Sequence, residues 1–379
     1  MRAQPRTGGH AVRTAPGLAL VAALALLPGC ASFTDGPAYY WQSVRGHFDV
    51  MWRAKPLDAV LADPGTDGAL RRRLASAREI RAFASRELAL PANGSYTAYA
   101  DLKRPYALWN VFATPELSLE LERWCFPVAG CVAYRGYYDQ GEANAYARRL
   151  REQGLEAHVA GVPAYSTLGW FDDPLLSTFL HYPEGELARL VFHELAHQVL
   201  YVSGDTPFNE SFATAVEEAG VERWLAQRAD PALERAYHDH ARRRRDFVAL
   251  LRRHKAALAE LYARPVSDDE KRHGKRAVFD ALRADYETLK TASWGGFAGY
   301  DRWFAQPLTN AHLAAVGAYT DRLPAFRALL AREGGELPRF YEAARALAAL
   351  PRAERALRLD ALAAHAPAAA FDAGQGGPR

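Results

Sequence analysis

A pair of histidines on one predicted helix is the feature that most constrains this chain. They belong to the stretch His193-Glu194-Leu195-Ala196-His197, within a segment whose apolar residues recur at helical spacing. Residues four apart in a helix lie one turn above each other, so both imidazoles project from the same face. Two such rings can bind one divalent cation. Glu194 lies about 100° round the helix from His193, where its carboxylate can reach a water molecule beside the cation and accept a proton from it.

A third ligand has to come from outside this helix. Leu200 and Ser203 stand where the metzincin class of zinc peptidases carries glycine and histidine, so that class is excluded. The next candidate is Glu210. Twelve residues separate it from His197, which is enough for the first helix to end and for a second to begin at Asp205-Thr206-Pro207, a cap followed by proline. We expect an antiparallel pair of helices that brings Glu210 to the imidazoles.

These segments resemble a known class of enzyme. The stretches His193–Gln198 and Asn209–Ala213 are similar to the zinc-binding sequences of gluzincin metallopeptidases, whose best-known member is thermolysin. The region from Tyr165 to Glu217 also resembles a family of bacterial lipoproteins described as aminopeptidases. The spacing departs from the well-studied gluzincins, because the segment between the second histidine and the glutamate is shorter here. The connection between the two helices must therefore be shorter too.

The resemblance implies a ligand set and a role for each residue. His193, His197 and Glu210 would bind one Zn²⁺ per chain, and Glu194 would be the general base. It also implies a zincin-like core. The corresponding reaction is hydrolysis of a peptide bond by a water that the metal activates, and the partner is a peptide or protein substrate.

Four further residues have two interpretations each. Glu217 follows Glu210 by seven residues on the same helical face, so it is either an acceptor for a ligand imidazole or a solvated carboxylate. A tyrosine hydroxyl would stabilise charge on the substrate oxygen, and Tyr319 is the first candidate, with Tyr300 and Tyr201 as others. The alternative for any of these tyrosines is packing, with the hydroxyl satisfied elsewhere.

The stretch Tyr165–Phe171 precedes the histidine helix, and its residues are typical of a strand. In gluzincins the strand at this place pairs with the substrate backbone, so the resemblance implies a β-augmentation site. The alternative is an ordinary core strand.

The amino-terminal segment predicts export. Three arginines precede an apolar run of ten residues, Leu18–Leu27, which is too short to span a bilayer and is followed by Leu27-Pro28-Gly29-Cys30. This resembles the bacterial lipoprotein signal, which implies cleavage before Cys30 and acylation of that cysteine as a membrane anchor. The alternative is an ordinary signal peptide. In bacterial lipoproteins an aspartate directly after the cysteine usually causes retention in the inner membrane. Because Ala31 stands there, the resemblance implies a location in the outer membrane of the cell envelope, facing the periplasm.

Composition narrows the remaining possibilities. The formal net charge is +3, and because the first 29 residues carry three arginines and no acid, the processed chain is neutral. A neutral chain is a poor nucleic-acid binder, so we expect no nucleic-acid partner. Beyond Cys30 only Cys125 and Cys131 remain. In an oxidising periplasm we expect these two cysteines to form a disulfide, and the alternative is two buried thiols.

The predicted fold class is α+β and mainly α, with a small β-sheet on the amino-terminal side of a zincin-like core and a helical carboxy-terminal half. Long charged helices are expected with a break near Arg264-Pro265. The predicted organisation is a leader at 1–29, an aromatic-rich segment at 30–66, a metallopeptidase domain at 67–363 (sheet about 89–171, zinc helices about 184–228, helical part 232–363) and a disordered tail at 364–379.

Three functions remain open. The first is a zinc-dependent peptidase, with an aminopeptidase favoured by resemblance and an endopeptidase on envelope proteins as its close variant. The second is a non-catalytic envelope lipoprotein that uses the peptidase scaffold for binding or assembly. The third is a hydrolase of peptidoglycan cross-links, which are also amides. The sequence leaves the oligomeric state open.

Overall fold

A computed structural model of the chain describes residues 37–126, 130–317 and 322–364. The chain divides into two compact units, residues 1–39 and 40–379. The described part of the first unit is residues 37–39, the start of a helix, so the fold below is that of the second unit. Four predicted features lie outside the described residues: the leader at 1–29, Cys30, Tyr319, and the tail beyond Ala364.

Helices dominate the described chain, which is α+β and mainly helical, as the sequence predicts. The helices are α1 Pro37–Arg53, α2 Leu57–Ala62, α3 Gly68–Leu88, α4 Gln140–Glu152, α5 Ser177–Leu180, α6 Glu184–Val199, α7 Thr206–Arg228, α8 Pro231–Ala263, α9 Asp268–Ala292, α10 Asp301–Phe304, α11 Asn310–Gly317, α12 Leu323–Arg332, α13 Leu337–Ala348 and α14 Arg352–Ala364.

The strands form small sheets that precede α6 in the chain. They are β1 Lys55–Pro56, β2 Ala98–Ala100, β3 Leu108–Pro115, β4 Trp124–Phe126, β5 Gly130–Val132, β6 Arg135–Tyr137, β7 Leu155–Val162 and β8 Leu175–Leu176. One sheet has the order β6-β3-β7 and is antiparallel throughout. In a second, β2 pairs antiparallel with β1 and parallel with β8. The third is the β4–β5 hairpin, in which Cys125 faces Cys131 and forms a disulfide with it.

Helix starts follow from short polar side chains. The Asp205 carboxylate accepts a hydrogen bond from the backbone N–H of Phe208 at 3.3 Å, and proline lies in the first turn of α7. Ser267 and Glu270 form a reciprocal capping box at the start of α9. The predicted break near Arg264-Pro265 is confirmed, because α8 ends at Ala263.

The core is one large apolar cluster with a smaller second one. In the larger cluster, buried residues of α3, α6 and α7 meet those of α12 and α13; Phe192, Phe212 and Phe340 are examples. Val50 of α1 and Leu57 of α2 belong to the same cluster. The second cluster lies mainly among α8, α9 and α11. The helix that carries both histidines is therefore fixed on its apolar side by the main core.

The predicted strand at Tyr165–Phe171 is wrong. This segment is a loop between β7 and β8, and at its centre Leu168 and Gly169 have positive φ angles of 58° and 82°. A pleated strand cannot contain two successive left-handed residues. The Asp173 carboxylate accepts a hydrogen bond from the Thr167 N–H at 2.9 Å and stabilises the turn. Strand pairing with a substrate backbone is therefore withdrawn for this segment.

None of the described helices combines the length and the apolarity that a crossing of a lipid bilayer requires.

Two histidines stack in the interior, away from the predicted site. His158 of β7 and His312 of α11 are buried, and their ring centroids lie 3.8 Å apart. Burial, together with the charge of Arg151, lowers the pKa of His158 to about 4. Burial and the neighbouring His158 lower the pKa of His312 to about 2. The folded protein thus excludes protons that the unfolded chain binds below about pH 6.5.

This pair predicts a loss of stability in mild acid. Since both pKa values are lower in the folded state, the free energy of unfolding should be largest above pH 6.5 and fall towards pH 4, by about 1.4 kcal/mol per pH unit for each histidine. His158→Phe should make this slope shallower, as measured by urea unfolding between pH 7.5 and 4.5. The surface substitution His238→Phe is the control. Identical slopes for wild type and His158→Phe would contradict the assignment.

Candidate metal centre

The connection between α6 and α7 is short and held at both ends. Gly204, with a φ of 77°, lets the chain reverse. The Asn209 side chain bonds both backbone groups of Val202, accepting from the N–H at 2.7 Å and donating to the carbonyl at 2.8 Å. Asp205 caps α7 and also binds Arg355 of α14 at 2.8 Å. The start of α7, with Glu210 in it, is thereby fixed against the end of α6.

The structure brings the three predicted ligands together. The Nε2 atoms of His193 and His197 lie 3.2 Å apart. Glu210 places one carboxylate oxygen 3.3 Å from Nε2 of His193 and the other 3.8 Å from Nε2 of His197. Glu210 lies near both histidine rings, whereas Glu217, seven residues later in α7, contacts His193 and Arg189, which lie nearer the start of α6. The chain of α7 therefore runs back along α6. The helices are antiparallel, as expected.

Glu217 accepts a hydrogen bond from a ligand imidazole. Its carboxylate is 2.8 Å from Nδ1 of His193 and 3.0 Å from Arg189. The side chain is almost fully buried. Burial opposes ionisation, but Arg189 and His193 overcome it and lower the pKa of Glu217 to about 2. Of its two interpretations, the solvated carboxylate is therefore wrong, and the contact leaves Nε2 of His193 directed to Glu210 and His197.

The buried charges continue away from the ligands. Arg189 also binds Glu186 at 2.8 Å, and Arg244 of α8 binds Glu186 at 2.9 Å. The sequence reasoning missed this network. A signal was available, because Glu186 and Arg189 lie seven and four residues before His193 on the same helical face, and the residues between them and His193 are apolar. Each ion pair compensates a buried charge that would destabilise the fold if it were left unpaired.

Electrostatics at the three ligands favour a cation. Burial by itself lowers the pKa of His193, but hydrogen bonds to Glu210 and Glu217 raise it to about 10. Burial and the adjacent His193 lower the pKa of His197 to about 4. The Nε2 atoms of His193 and His197 face each other, and two unprotonated nitrogens repel. This arrangement therefore requires a positive charge between the two atoms. A proton on His193 supplies that charge, and a divalent ion can replace it.

Distances between the ligand atoms also fit a metal. Ligand atoms about 2.0–2.1 Å from a tetrahedral Zn²⁺ lie roughly 3.3–3.4 Å from each other, close to the separations of 3.2, 3.3 and 3.8 Å. One ligand atom from each of His193, His197 and Glu210 lies within 4.8 Å of the others. Two imidazoles and a carboxylate are a donor set that zinc accepts in catalytic sites. The chain therefore offers three ligands for one metal ion of this kind.

Glu194 is placed beside these ligands and is not one of the three that converge. Burial raises the pKa of Glu194 to about 7. The charge of His193 acts to lower this pKa, and the charge of Glu210 acts to raise it. A carboxylate with a pKa near neutrality can accept a proton and return it. Tyr96, which the sequence analysis did not single out, lies near it: the pKa of Tyr96 is raised by burial and then by the charge of Glu194. Its buried hydroxyl has no hydrogen-bond partner within the described part of the chain.

The tyrosine candidates separate in the structure. Tyr319 lies outside the described residues. Tyr300 stacks on Phe247 with a centroid distance of 4.1 Å and belongs to the second core cluster, as a packing residue does. Tyr201 is partly exposed, and its pKa is raised by burial and by the charge of Glu210. Of the described candidates, Tyr201 is therefore the one whose charge is coupled to a ligand.

Comparison with known proteins gives one match. A family model described as "Putative aminopeptidase" matches residues 38–359. A search of curated proteins and a search of solved structures found no match. The matched region includes α6 and α7 whole, and with them every residue of the metal centre described above.

The contact between Glu217 and His193 predicts an effect on metal affinity. In Glu217→Gln the amide cannot carry the charge that holds the imidazole, so the affinity for Zn²⁺ should fall by about 10–100-fold. The matched control is Glu218→Gln, because Glu218 is the next residue and pairs with Arg327 near the surface at 2.6 Å. Zn²⁺ binding measured by competition with a chelating dye should be unchanged in that control. Equal affinities in the two variants would show that Glu217 does not orient the ligand.

Proposed function

Because the chain belongs to the family described as "Putative aminopeptidase", we propose that it is a zinc-dependent peptidase that removes amino-terminal residues from peptides. One observation carries the zinc dependence. Two imidazoles on α6 and a carboxylate on α7 converge within bonding reach of a single ion. We further propose that α6, α7 and the small sheets before them constitute a zincin-like core of the gluzincin type.

The proposed ligands are His193, His197 and Glu210. When bound, Zn²⁺ would supply a Lewis acid that polarises the substrate carbonyl and lowers the pKa of water. Glu217 keeps Nε2 of His193 directed to the ion by accepting a hydrogen bond from the opposite ring nitrogen. Arg189 keeps Glu217 ionised, so this orientation holds across the neutral range.

Glu194 is the proposed general base. Its carboxylate accepts a proton from the water that attacks the peptide carbonyl, and returns that proton to the nitrogen of the leaving amine. Its burial supports both steps, since a carboxylate with a pKa of about 7 can accept a proton and release it again at neutral pH. Of the described tyrosine candidates, Tyr201 is proposed to donate a hydrogen bond to the substrate oxygen, because its pKa responds to the charge of Glu210.

The proposed location is the cell envelope. Cleavage before Cys30 and acylation of its thiol and its new amino group would anchor the chain to the outer membrane, facing the periplasm. An oxidising compartment agrees with the disulfide between Cys125 and Cys131.

Substitution of the base tests the reaction. Glu194→Gln should retain one Zn²⁺ per chain and lose at least 99% of the hydrolysis of aminoacyl reporter substrates and short peptides, because the amide cannot accept a proton. The matched control is Glu184→Gln on the same helix, where the carboxylate pairs with Arg228 at 3.0 Å. Activity retained by Glu194→Gln would refute its role. If wild type and variant are equally inert across peptides of varied ends and lengths, the non-catalytic scaffold is the correct interpretation.

Loss of the ligands tests the metal. His193→Ala and Glu210→Ala should each lose stoichiometric zinc, measured by elemental analysis after dialysis. The control is again Glu218→Gln. A Glu210→Ala protein that keeps a full equivalent of zinc would overturn the assignment of the third ligand.

Cys30 gives a separate prediction of location. Cells that express the chain in the presence of labelled palmitate should incorporate the label into the wild type, and the Cys30→Ser variant should lose it. The Cys125→Ser/Cys131→Ser variant should keep the label, since those cysteines are bonded to each other. Label that remains in Cys30→Ser would contradict acylation at this residue.

A further inference from the structure

One face of α1 is aromatic and exposed. Trp41, Val44, Phe48 and Trp52 follow one another at intervals of three or four residues, which places them on one side of a helix. The exposed fraction is 69% for Trp41, 57% for Phe48 and 92% for Trp52. A soluble protein leaves single large apolar residues exposed, but a stripe along a whole helix marks an interaction surface. We call these four residues the aromatic face.

The opposite side of α1 is fixed to the fold. Val50 is buried in the main core. At Gly46 an added Cβ would lie 2.1 Å from the ring of Tyr138, so the helix backbone touches that ring directly. The Gln42 side chain accepts a hydrogen bond from the Tyr138 N–H at 3.1 Å and donates one to the Gly136 carbonyl. Because these contacts hold the opposite side of the helix from Gln42 to Val50, the aromatic face points away from the main core.

The neighbours of the aromatic face include basic side chains. Arg45 lies on the same side of the helix, and Lys55 follows its end; both are exposed. Arg53 pairs with Asp49 at 2.9 Å, so that acid is neutralised. Tryptophan and phenylalanine beside lysine and arginine are the composition of helices that lie in a membrane interface, where the rings enter the headgroup region and the bases meet anionic lipids.

The chain before the helix limits what the aromatic face can reach. Six residues lie between Cys30 and Pro37, the first residue of α1. Even fully extended, seven peptide steps span no more than about 25 Å. A chain acylated at Cys30 therefore keeps α1 close to the bilayer at all times. The high local concentration of lipid makes even a weak aromatic interaction persistent.

We infer that the aromatic face of α1 docks on the surface of the lipid bilayer. It is a second membrane contact beside the acylated cysteine, and it orients the protein on the membrane. This inference rests on the anchoring proposed for Cys30 and is independent of the peptidase reaction.

The neighbouring loop extends this surface. The ring of Phe171 lies against His47 of α1 with a centroid distance of 4.5 Å, and Trp170 beside it is largely exposed. In the same loop, Gly169 approaches the side chain of Gln198, which follows a proposed metal ligand in α6. The aromatic face is therefore connected through one loop to the helix of the metal centre.

The first test uses the processed form of the chain, residues 30–379 with Cys30→Ser, so that neither a leader nor an acyl chain contributes. It is mixed with vesicles of phosphatidylethanolamine and phosphatidylglycerol, or of phosphatidylcholine alone, and sedimented. Wild type should partition onto the vesicles, more strongly when they are anionic. Trp41→Gln/Phe48→Gln/Trp52→Gln should lower the partition coefficient at least tenfold. The control Leu357→Ala removes an exposed apolar residue of α14 and should change it less than twofold.

The second test uses the full chain in vesicles with brominated acyl chains, which quench tryptophans that enter the bilayer. Quenching of the wild type should fall by more than half in Trp41→Phe/Trp52→Phe, which keeps apolar rings but removes the reporters. The control Trp303→Phe, in the second cluster, should keep the quenching. This test does not require the glutamine variant to fold.

Three results would overturn the inference. The first is equal partitioning of wild type and the glutamine variant, and the second is absence of quenching from Trp41 and Trp52. The third is a dimer in analytical ultracentrifugation that the glutamine variant loses while neither binds vesicles, which would assign the face to a second copy of the chain. Palmitate labelling and peptide hydrolysis are measured separately, so failure of the anchor or of the reaction is distinguishable from failure of this contact.

Discussion

The carboxylate of Glu217 holds the candidate metal centre together. It is buried, and it binds His193 on one side at 2.8 Å and Arg189 on the other at 3.0 Å. Removing one partner of such a buried pair leaves an uncompensated charge and costs about 3–5 kcal/mol. The same contact joins α6 to α7 and sets the orientation of a ligand. A substitution that breaks this contact should therefore change both the stability of the helix pair and the geometry of the site.

This arrangement also explains why the three converging side chains favour a positive ion between them. The acids Glu194, Glu210 and Glu217 lie close to the two imidazoles, and the guanidinium of Arg189 contacts Glu217. Without a cation, a proton on His193 compensates part of the negative charge of these acids. The pKa of His193 rises to about 10, although burial by itself lowers it. A divalent ion brings more charge to the same place, so binding it competes with one proton and should stabilise the folded chain.

The sequence predicts the local parts of this structure well and the long-range parts poorly. The histidine pair, the Asp205 cap and the helix break after Ala263 are set by spacing and by neighbouring residues, and each agrees with the structure. The loop at Leu168 and Gly169 resembles a strand in composition, but its left-handed backbone depends on a turn stabilised from Asp173. Arg244 comes from a distant helix, so no local pattern could assign it to Glu186. Zinc dependence, the acylated cysteine and the domain limits remain predictions.

The bridge between Asp205 and Arg355 has a consequence for biosynthesis. Asp205 caps the helix of the third ligand, and its second carboxylate contact comes from α14, nearly at the end of the described chain. A ribosome makes α14 after every other described helix, because α14 follows them in the chain. The segment that secures Glu210 is thus synthesised after everything it secures. A nascent or truncated polypeptide that ends before α14 would lack the contact from Arg355, so the start of α7, with Glu210 in it, would be held less firmly.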